Sequence, residues 1–210
     1  MRYYNADGGE AEMCGNGARC FGNFAAALLH HDKTAPLPFE TMAGVVTATF
    51  EKDDNVTVNL TNPHSMQLFV LNADPTVGAD VHFLNTGVPH AVAFLDKLEG
   101  LDISRLGAYL RYHEAFSPKG TNANFARILS PGHIAIRTYE RGVEDETLAC
   151  GTGACAAVVA SVLNDLTDEE VIVKLLGGEL SVRWDRKVNH VFLEGPACLL
   201  YTSPSPRDTR

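Results

Sequence analysis

Two windows of this 210-residue chain are apolar along a helix-length stretch, and most of the remainder alternates with the period of strands. Residues 21–31, FGNFAAALLHH, place Phe21, Phe24, Ala25 and Leu28 at the 3, 4 spacing of a buried helical stripe. In the second window, AVVASVLN at 157–164, Val158 and Val162 lie one turn apart. Between these windows PLPF, VVTATF and VTVNL read as strands, the last two joined at KDDN by a hairpin turn. NPHSMQ at 62–67 reads as a link. A second series follows it: FVLN, VHFLNTG, HAVAFL, a helix around DISRLGAYLRY, then NFARIL and HIAIRTYE separated by SPG. After the second apolar helix come VIVKLL and LSVRW around a Gly-Gly, and finally HVFLEG. Near the amino terminus, Arg2 to Asn5 reads as a strand end and NADGGEAE as the turn into the first helix. Strands outnumber helices and gather around two apolar helices. The fold class predicted is α+β, with β-barrel-like halves each wrapped around a central helix.

The two apolar helices begin alike. MCGNGARC at 13–20 and ACGTGACA at 149–156 share Cys-Gly-x-Gly-Ala at the same phase, which predicts two related half-molecules. Their proposed limits are 1–66 for the amino-terminal half and 67–195 for the carboxy-terminal half, with 196–210 a return segment and disordered tail. A helix start carries unpaired N–H groups and about half a positive charge. Anions are favoured there, and a thiol at that point is expected below its free pKa of about 8.5. Glycines 15, 17, 151 and 153 lack a Cβ that would block a ligand approaching the backbone, whose N–H groups suit a carboxylate. If the halves pack about a pseudo-twofold axis, Cys14 and Cys150 face one cleft. Cys20 and Cys155 fall inside the helices and are expected to pack, while Cys198 lies near the tail.

Composition narrows the chemistry. Seventeen Lys plus Arg against 26 Asp plus Glu give a formal charge of -9, so no basic field recruits nucleic acid or anionic lipid. No apolar run reaches the roughly 18–20 residues of a membrane span, and the first residues lack a signal-peptide layout, so a cytoplasmic location is expected. Five cysteines, an odd number, do not suggest a disulfide framework. Their spacing suits neither the close pairs of structural zinc sites nor the C-x-x-C of disulfide exchange, and no phosphate-binding GxxxxGK[ST] occurs. Polar residues at strand ends complete the candidates. Arg141 can hold a carboxylate in a bidentate fork, Glu140 an ammonium, and Asn122 and His90 can orient either group.

The strings NADGGEAEMCGNGARC, GVPH, GTNANF, ERGVEDETLACGTGACAA and LEGPA resemble the diaminopimelate epimerase family across nearly the whole chain. Proline racemases share the paired CGxG motif, but NADG before the first motif and ERG before the second favour the epimerase. The resemblance implies a two-domain pseudo-symmetric fold and interconversion of LL- and meso-diaminopimelate, in lysine and peptidoglycan precursor synthesis. It implies no pyridoxal phosphate, no metal and no other cofactor, and is compatible with a homodimer. By that resemblance Cys14 and Cys150 are the proton-transfer pair. Asn5, Gly15, Asn16, Asn122, Glu140, Arg141, Gly151 and Thr152 bind substrate, while His90 and Glu140 support the thiols or the substrate ammonium. Two departures stand out. The family pattern begins earlier, with a strand and a GxGNDF-like segment, so the amino-terminal half is expected to lack its first strands. The usual asparagine before Pro-His is Val88 here, which removes one amide contact. Competing readings are a proline racemase-like enzyme, a non-catalytic amino-acid binder and a thiol redox protein.

Overall fold

The computed structural model describes residues 1–4, 8–11, 13–51 and 54–197. Asn5, Cys198 with the rest of the tail from 198 to 210, and Lys52 and Asp53 of the KDDN turn lie outside the described residues. A short ribbon of β1 (Tyr3–Tyr4) and β2 (Glu10–Ala11) leads into helix α1 (Gly15–Leu28). The hairpin strands β3 (Leu37–Thr41), β4 (Gly44–Phe50) and β5 (Asn55–Asn59) follow, then β6 (His64–Asp74), β7 (Ala79–Asn85) and β8 (Pro89–Phe94). Helix α2 (Ile103–Arg111) and a 3-10 turn at Glu114–Phe116 precede β9 (Asn122–Ser130), β10 (His133–Glu140) and the short β11 (Asp145–Thr147). Helix α3 (Gly151–Leu163) then leads to β12 (Glu170–Leu175), β13 (Gly178–Asp185) and β14 (His190–Pro196). No helix among the described residues is long and apolar enough to cross a membrane.

Twelve of these strands form one sheet in the order β3-β4-β5-β14-β13-β12-β10-β9-β8-β7-β6, with β11 paired to β10. Neighbours are antiparallel except β8 with β9 and β10 with β12. The α+β class read from the sequence is the one observed. The chain's last described strand, β14, pairs with β5 on one side and β13 on the other, and so joins the β3–β5 hairpins to the rest of the sheet.

Helix α3 is central. Ala154 through Ala160 are all fully buried, which requires a sequence with no polar face and explains its run of Ala, Cys and Val. Helix α1 behaves differently from the stripe its sequence suggests. Phe24 and Leu28 are exposed at 52% and 67%, while Ala18, Gly22, Ala25 and Ala26 are buried. The cause is close approach to the sheet: a Cβ on Gly22 would lie 2.7 Å from the Cβ of Ala48, so only small side chains fit between. Cys20 likewise faces outward instead of packing, whereas Cys155 is buried as expected. The NPHSMQ link is already strand at His64, and β6 runs along the sheet edge with three irregularities in its pairing to β7. Ser65, Phe69 and Ala73 there have positive φ, which breaks the alternation that would have marked a strand.

Leu193 of β14 is fully buried directly beneath the first residues of α1 and α3. Leu193→Ala should cost about 2–5 kcal/mol of stability, because the three elements meeting there cannot all collapse into the void. A lowered urea midpoint with unchanged denaturant slope would register it. An unaltered midpoint would show the packing to be loose.

Candidate active site

Both motif cysteines sit at the N-cap of their helices in the same extended conformation, Cys14 at φ -140°, ψ 112° and Cys150 at φ -127°, ψ 106°. The Sγ of Cys14 accepts the Gly17 N–H at 3.3 Å, so the sulfur occupies the position where a helix start favours negative charge. The two helices meet at their first residues. A Cβ built on Gly15 would stand 3.5 Å from the Cα of Gly151, one on Gly151 would stand 3.4 Å from the Cα of Gly15, and both would press on Leu193.

A cavity of about 430 Å³ opens over this junction, lined by both thiols. That volume is ordinary for a small-molecule site. Of the residues singled out in the sequence, Gly15, Asn16, Asn122, Glu140, Arg141, Gly151 and Thr152 line it with Cys14 and Cys150. Val88 lines it too, presenting a hydrocarbon, in keeping with the loss of an amide contact read from the sequence. Asn5 lies outside the described residues. His90 is completely buried behind the wall and is linked to the cavity lining through Thr152, its Nε2 3.0 Å from Thr152 Oγ1.

The glycines also serve the packing of the junction. Gly15 and Gly151 let the helix starts abut, Gly17 makes room for Tyr3 and the Cys14 sulfur, and a Cβ on Gly153 would overlap Asn124 Oδ1. Gly17 and Gly153 do not line the cavity. Asn122 is also committed in part: its Oδ1 accepts the Arg141 N–H at 2.8 Å and its Nδ2 donates to Pro89 O at 2.9 Å. This amide therefore places Arg141 at the cavity wall. The turn beyond it is fixed by Arg111 donating to Glu144 at 3.0 Å and by a two-pronged Arg137–Glu146 pair at 2.6 Å on each prong.

Sequence reasoning missed Tyr3, Glu10, Arg111 and Lys119, which also line the cavity. Burial and the charge of Cys14 push the Tyr3 phenol up, Cys14 being the larger cause. Nothing in RYYN distinguishes an inward tyrosine from an outward one. Only the β1–β2 ribbon, which turns Tyr3 inward and leaves Tyr4 exposed, does so.

The electrostatics overturn one expectation. Burial pushes the Cys150 thiol up to about 12, with the Glu140 carboxylate adding to the effect; the Thr152 hydroxyl and Gly153 N–H oppose it and lose. A helix start does not secure a thiolate when the sulfur is this buried. Burial likewise pushes the Glu140 carboxyl up. His90 is driven down from 6.5 to about 3, by burial first and by Arg141 second, so it is a neutral imidazole at neutral pH. Its unfolded counterpart takes up a proton near 6.5 that the folded site refuses until about pH 3. Stability from this source is full above pH 6.5 and declines as pH falls through that window, by at most about 1.4 kcal/mol per unit. Urea titrations across that range should show a shallower decline for His90→Gln than for the parent. Equal slopes would remove His90 from the account.

A sequence profile of the diaminopimelate epimerase family matches residues 1–66 and 82–200. The chain belongs to the diaminopimelate epimerase family. Among curated relatives, a diaminopimelate epimerase from a Hydrogenobaculum species is 43% identical over 204 residues, covering 95% of this chain and 72% of the relative. One from Aquifex aeolicus is 42% identical over 197 residues, 92% of this chain and 69% of the relative. A solved structure of a probable proline racemase from Agrobacterium radiobacter superimposes with TM-score 0.63 at 17% identity, over 91% of this chain and 67% of that one. That likeness is one of fold alone. The diaminopimelate epimerase family thus accounts for the paired helix-start cysteines, and the proline racemase reading gains nothing beyond shared architecture.

Proposed function

We propose that this member of the diaminopimelate epimerase family interconverts LL- and meso-diaminopimelate by moving a proton on and off the α-carbon between Cys14 and Cys150. The observation that carries the reading is the junction of the two helix starts. It brings two thiols from opposite ends of the sequence to one cavity, each at the N-cap of its helix.

Inversion at carbon needs a base on one face and an acid on the other, and a thiolate–thiol pair exchanges those roles when the direction reverses. Burial keeps the Cys150 thiol protonated, which suits it to return a proton to a carbanion formed on the Cys14 side. The α-proton is far less acidic than a thiol, so the developing negative charge needs help. Backbone N–H groups at Gly15, Asn16, Gly151 and Thr152 surround the place where an α-carboxylate sits between the helix starts. Such donors are fixed by the helix backbone and need no reorganisation as the charge develops.

The far end of the cavity suits a second amino-acid end. Lys119, Arg141 and Glu140 line the cavity, while Glu10 and Arg111 there are already paired with Arg2 and Glu144, so the wall offers both signs of charge to a substrate that carries carboxylates and ammonium groups. Val88 leaves its part of the wall apolar, alongside the substrate's methylene chain. A net charge of -9 supports a small molecule as the partner, with neither nucleic acid nor membrane, and the proposed setting is the cytoplasm.

Incubation with meso-diaminopimelate in D2O tests the reading. Deuterium should enter the α-position as the LL epimer accumulates. Folded protein that neither exchanges nor epimerises this substrate, or that instead racemises an imino acid such as proline, would overturn it.

A further inference from the structure

Behind the cavity wall lies a chain of buried polar side chains that ends on Cys150. Thr138 and Asn124 are cross-strand partners in β10 and β9, and the Thr138 hydroxyl donates to Asn124 Oδ1 at 3.0 Å. Asn124 Nδ2 donates to the backbone carbonyl of Ala91 at 2.9 Å and stands 3.1 Å from His90 Nδ1. His90 Nε2 lies 3.0 Å from Thr152 Oγ1, and that oxygen lies 3.5 Å from the Cys150 sulfur. Thr138, Asn124, His90 and Thr152 are all buried.

The direction of every bond follows from one backbone group. A carbonyl only accepts, so the Ala91 oxygen requires the nitrogen of the Asn124 amide on its side, and the Thr138 hydroxyl caps the opposite oxygen. The second amide hydrogen then points at His90 Nδ1, which must present its lone pair. A neutral imidazole bare at Nδ1 carries its proton on Nε2 and donates it to Thr152. The Thr152 oxygen, already accepting, has its own hydrogen left for the sulfur. Gly153 belongs to the same device, because any side chain there would displace Asn124 Oδ1.

We propose that Asn124, oriented by Ala91 and Thr138, is a positioning residue that locks His90 in the Nε2–H form and makes Thr152 a one-way hydrogen-bond donor to the Cys150 thiolate. This rests on the proton-transfer role of Cys150 proposed above. His90 in this arrangement is no base, since an amide N–H occupies the only lone pair it could use. A proton taken by Cys150 is therefore held for the substrate instead of leaking through the histidine to solvent. The groups facing Cys150 from other elements all work against its anion or are remote from it: Glu140 on β10 and Cys14 at the start of α1 oppose ionisation, and Cys155 lies further along α3. Arg141 acts on His90, reinforcing its neutral form. The Thr152 donor, together with the Gly153 N–H, acts against that opposition when the thiolate forms.

Two measurements test the proposal without relying on epimerase turnover. In the full chain carrying Cys14→Ser, the pH dependence of Cys150 alkylation by iodoacetamide, resolved by peptide mass spectrometry, reports its thiolate fraction. Asn124→Asp reverses the amide donor into an acceptor, forces a proton onto His90 Nδ1 and turns the Thr152 hydroxyl toward the imidazole. Alkylation below the thiol pKa should slow about 10- to 100-fold, the range for a hydrogen bond to a charged group. In the Thr152→Val background the same substitution should have no further effect. Equal slowing in both backgrounds means that the new carboxylate acts by charge alone, and overturns the relay. The second measurement needs no substitution: 15N spectra of the histidine ring should show His90 protonated at Nε2 and bare at Nδ1 at neutral pH. The opposite tautomer overturns the proposal even in an active enzyme, and the expected tautomer in an inactive one would count against the epimerase reading alone.

Discussion

Serine at position 150 is expected to lower epimerisation by about 10²–10⁴-fold, the range over which a positioned general acid or base contributes. The hydroxyl is nearly isosteric with the thiol, so the fold should persist, but it neither ionises near neutral pH nor accepts a proton as a thiolate does. Rates in the two directions must fall together, because their ratio of kcat/KM is tied to the equilibrium constant. Cys14→Ser should do the same. The two single variants should differ in exchange: with one thiol remaining, α-deuterium can still enter the epimer whose hydrogen faces that thiol, while the other epimer stays inert. Cys14→Ser with Cys150→Ser should lose both reactions. Chiral chromatography with mass detection in D2O separates exchange from inversion. Epimer formation close to the parental rate in either single variant, or full exchange in the double one, would exclude the two-thiol mechanism.

Gly151→Val should be the most damaging change that leaves every polar group of the site in place. The first added carbon already falls 2.9 Å from Leu193 Cδ2 and 3.4 Å from the Cα of Gly15. Two further methyls cannot be housed unless α3 moves away from α1. The thiols sit one residue before this contact, so parting the helices alters the spacing that the substrate carbon must bridge. Misplacement by about 1 Å in such a pair costs roughly 10²-fold in rate. Gly151→Ala should be milder, since a terminal leucine methyl can shift by a few tenths of an ångström. The check is kcat/KM beside thermal stability for both variants. A valine variant with near-parental kcat/KM would show that the helix starts do not set the geometry.

Much of this was legible beforehand because the signals are local. The repeated Cys-Gly-x-Gly-Ala before an apolar window placed both helix starts, and the hairpin strands announced themselves by β-branched alternation. What stayed hidden depends on distance through space. The buried face of α1 differs from the stripe because the bulky Phe24 and Leu28 look like core, whereas the helix lies so near β4 at Gly22 that a side chain there would press on Ala48. The depressed thiol expected at a helix start was wrong for Cys150, since the sequence does not show how far the sulfur is withdrawn from water. Asn124 and Thr138 read as ordinary strand residues. Their pairing needs the β9–β10 register, and their link to His90 needs the parallel β8–β9 contact.

The place of β14 also governs how the chain is built during synthesis. Helix α1 and its hairpins leave the ribosome before β14, yet the sheet they belong to is joined to the remainder by β14, whose partners lie in β5 and β13. The early third can form its local hairpins, but its place in the sheet is set only once β14 pairs with β5. Such late, sequence-distant closure slows folding and leaves the amino-terminal strands waiting with an unpaired edge. Assembly of the catalytic junction is thereby tied to the pairing of β14, so a nascent chain stalled before β14 would carry both thiols without the strand that registers the sheet beneath them.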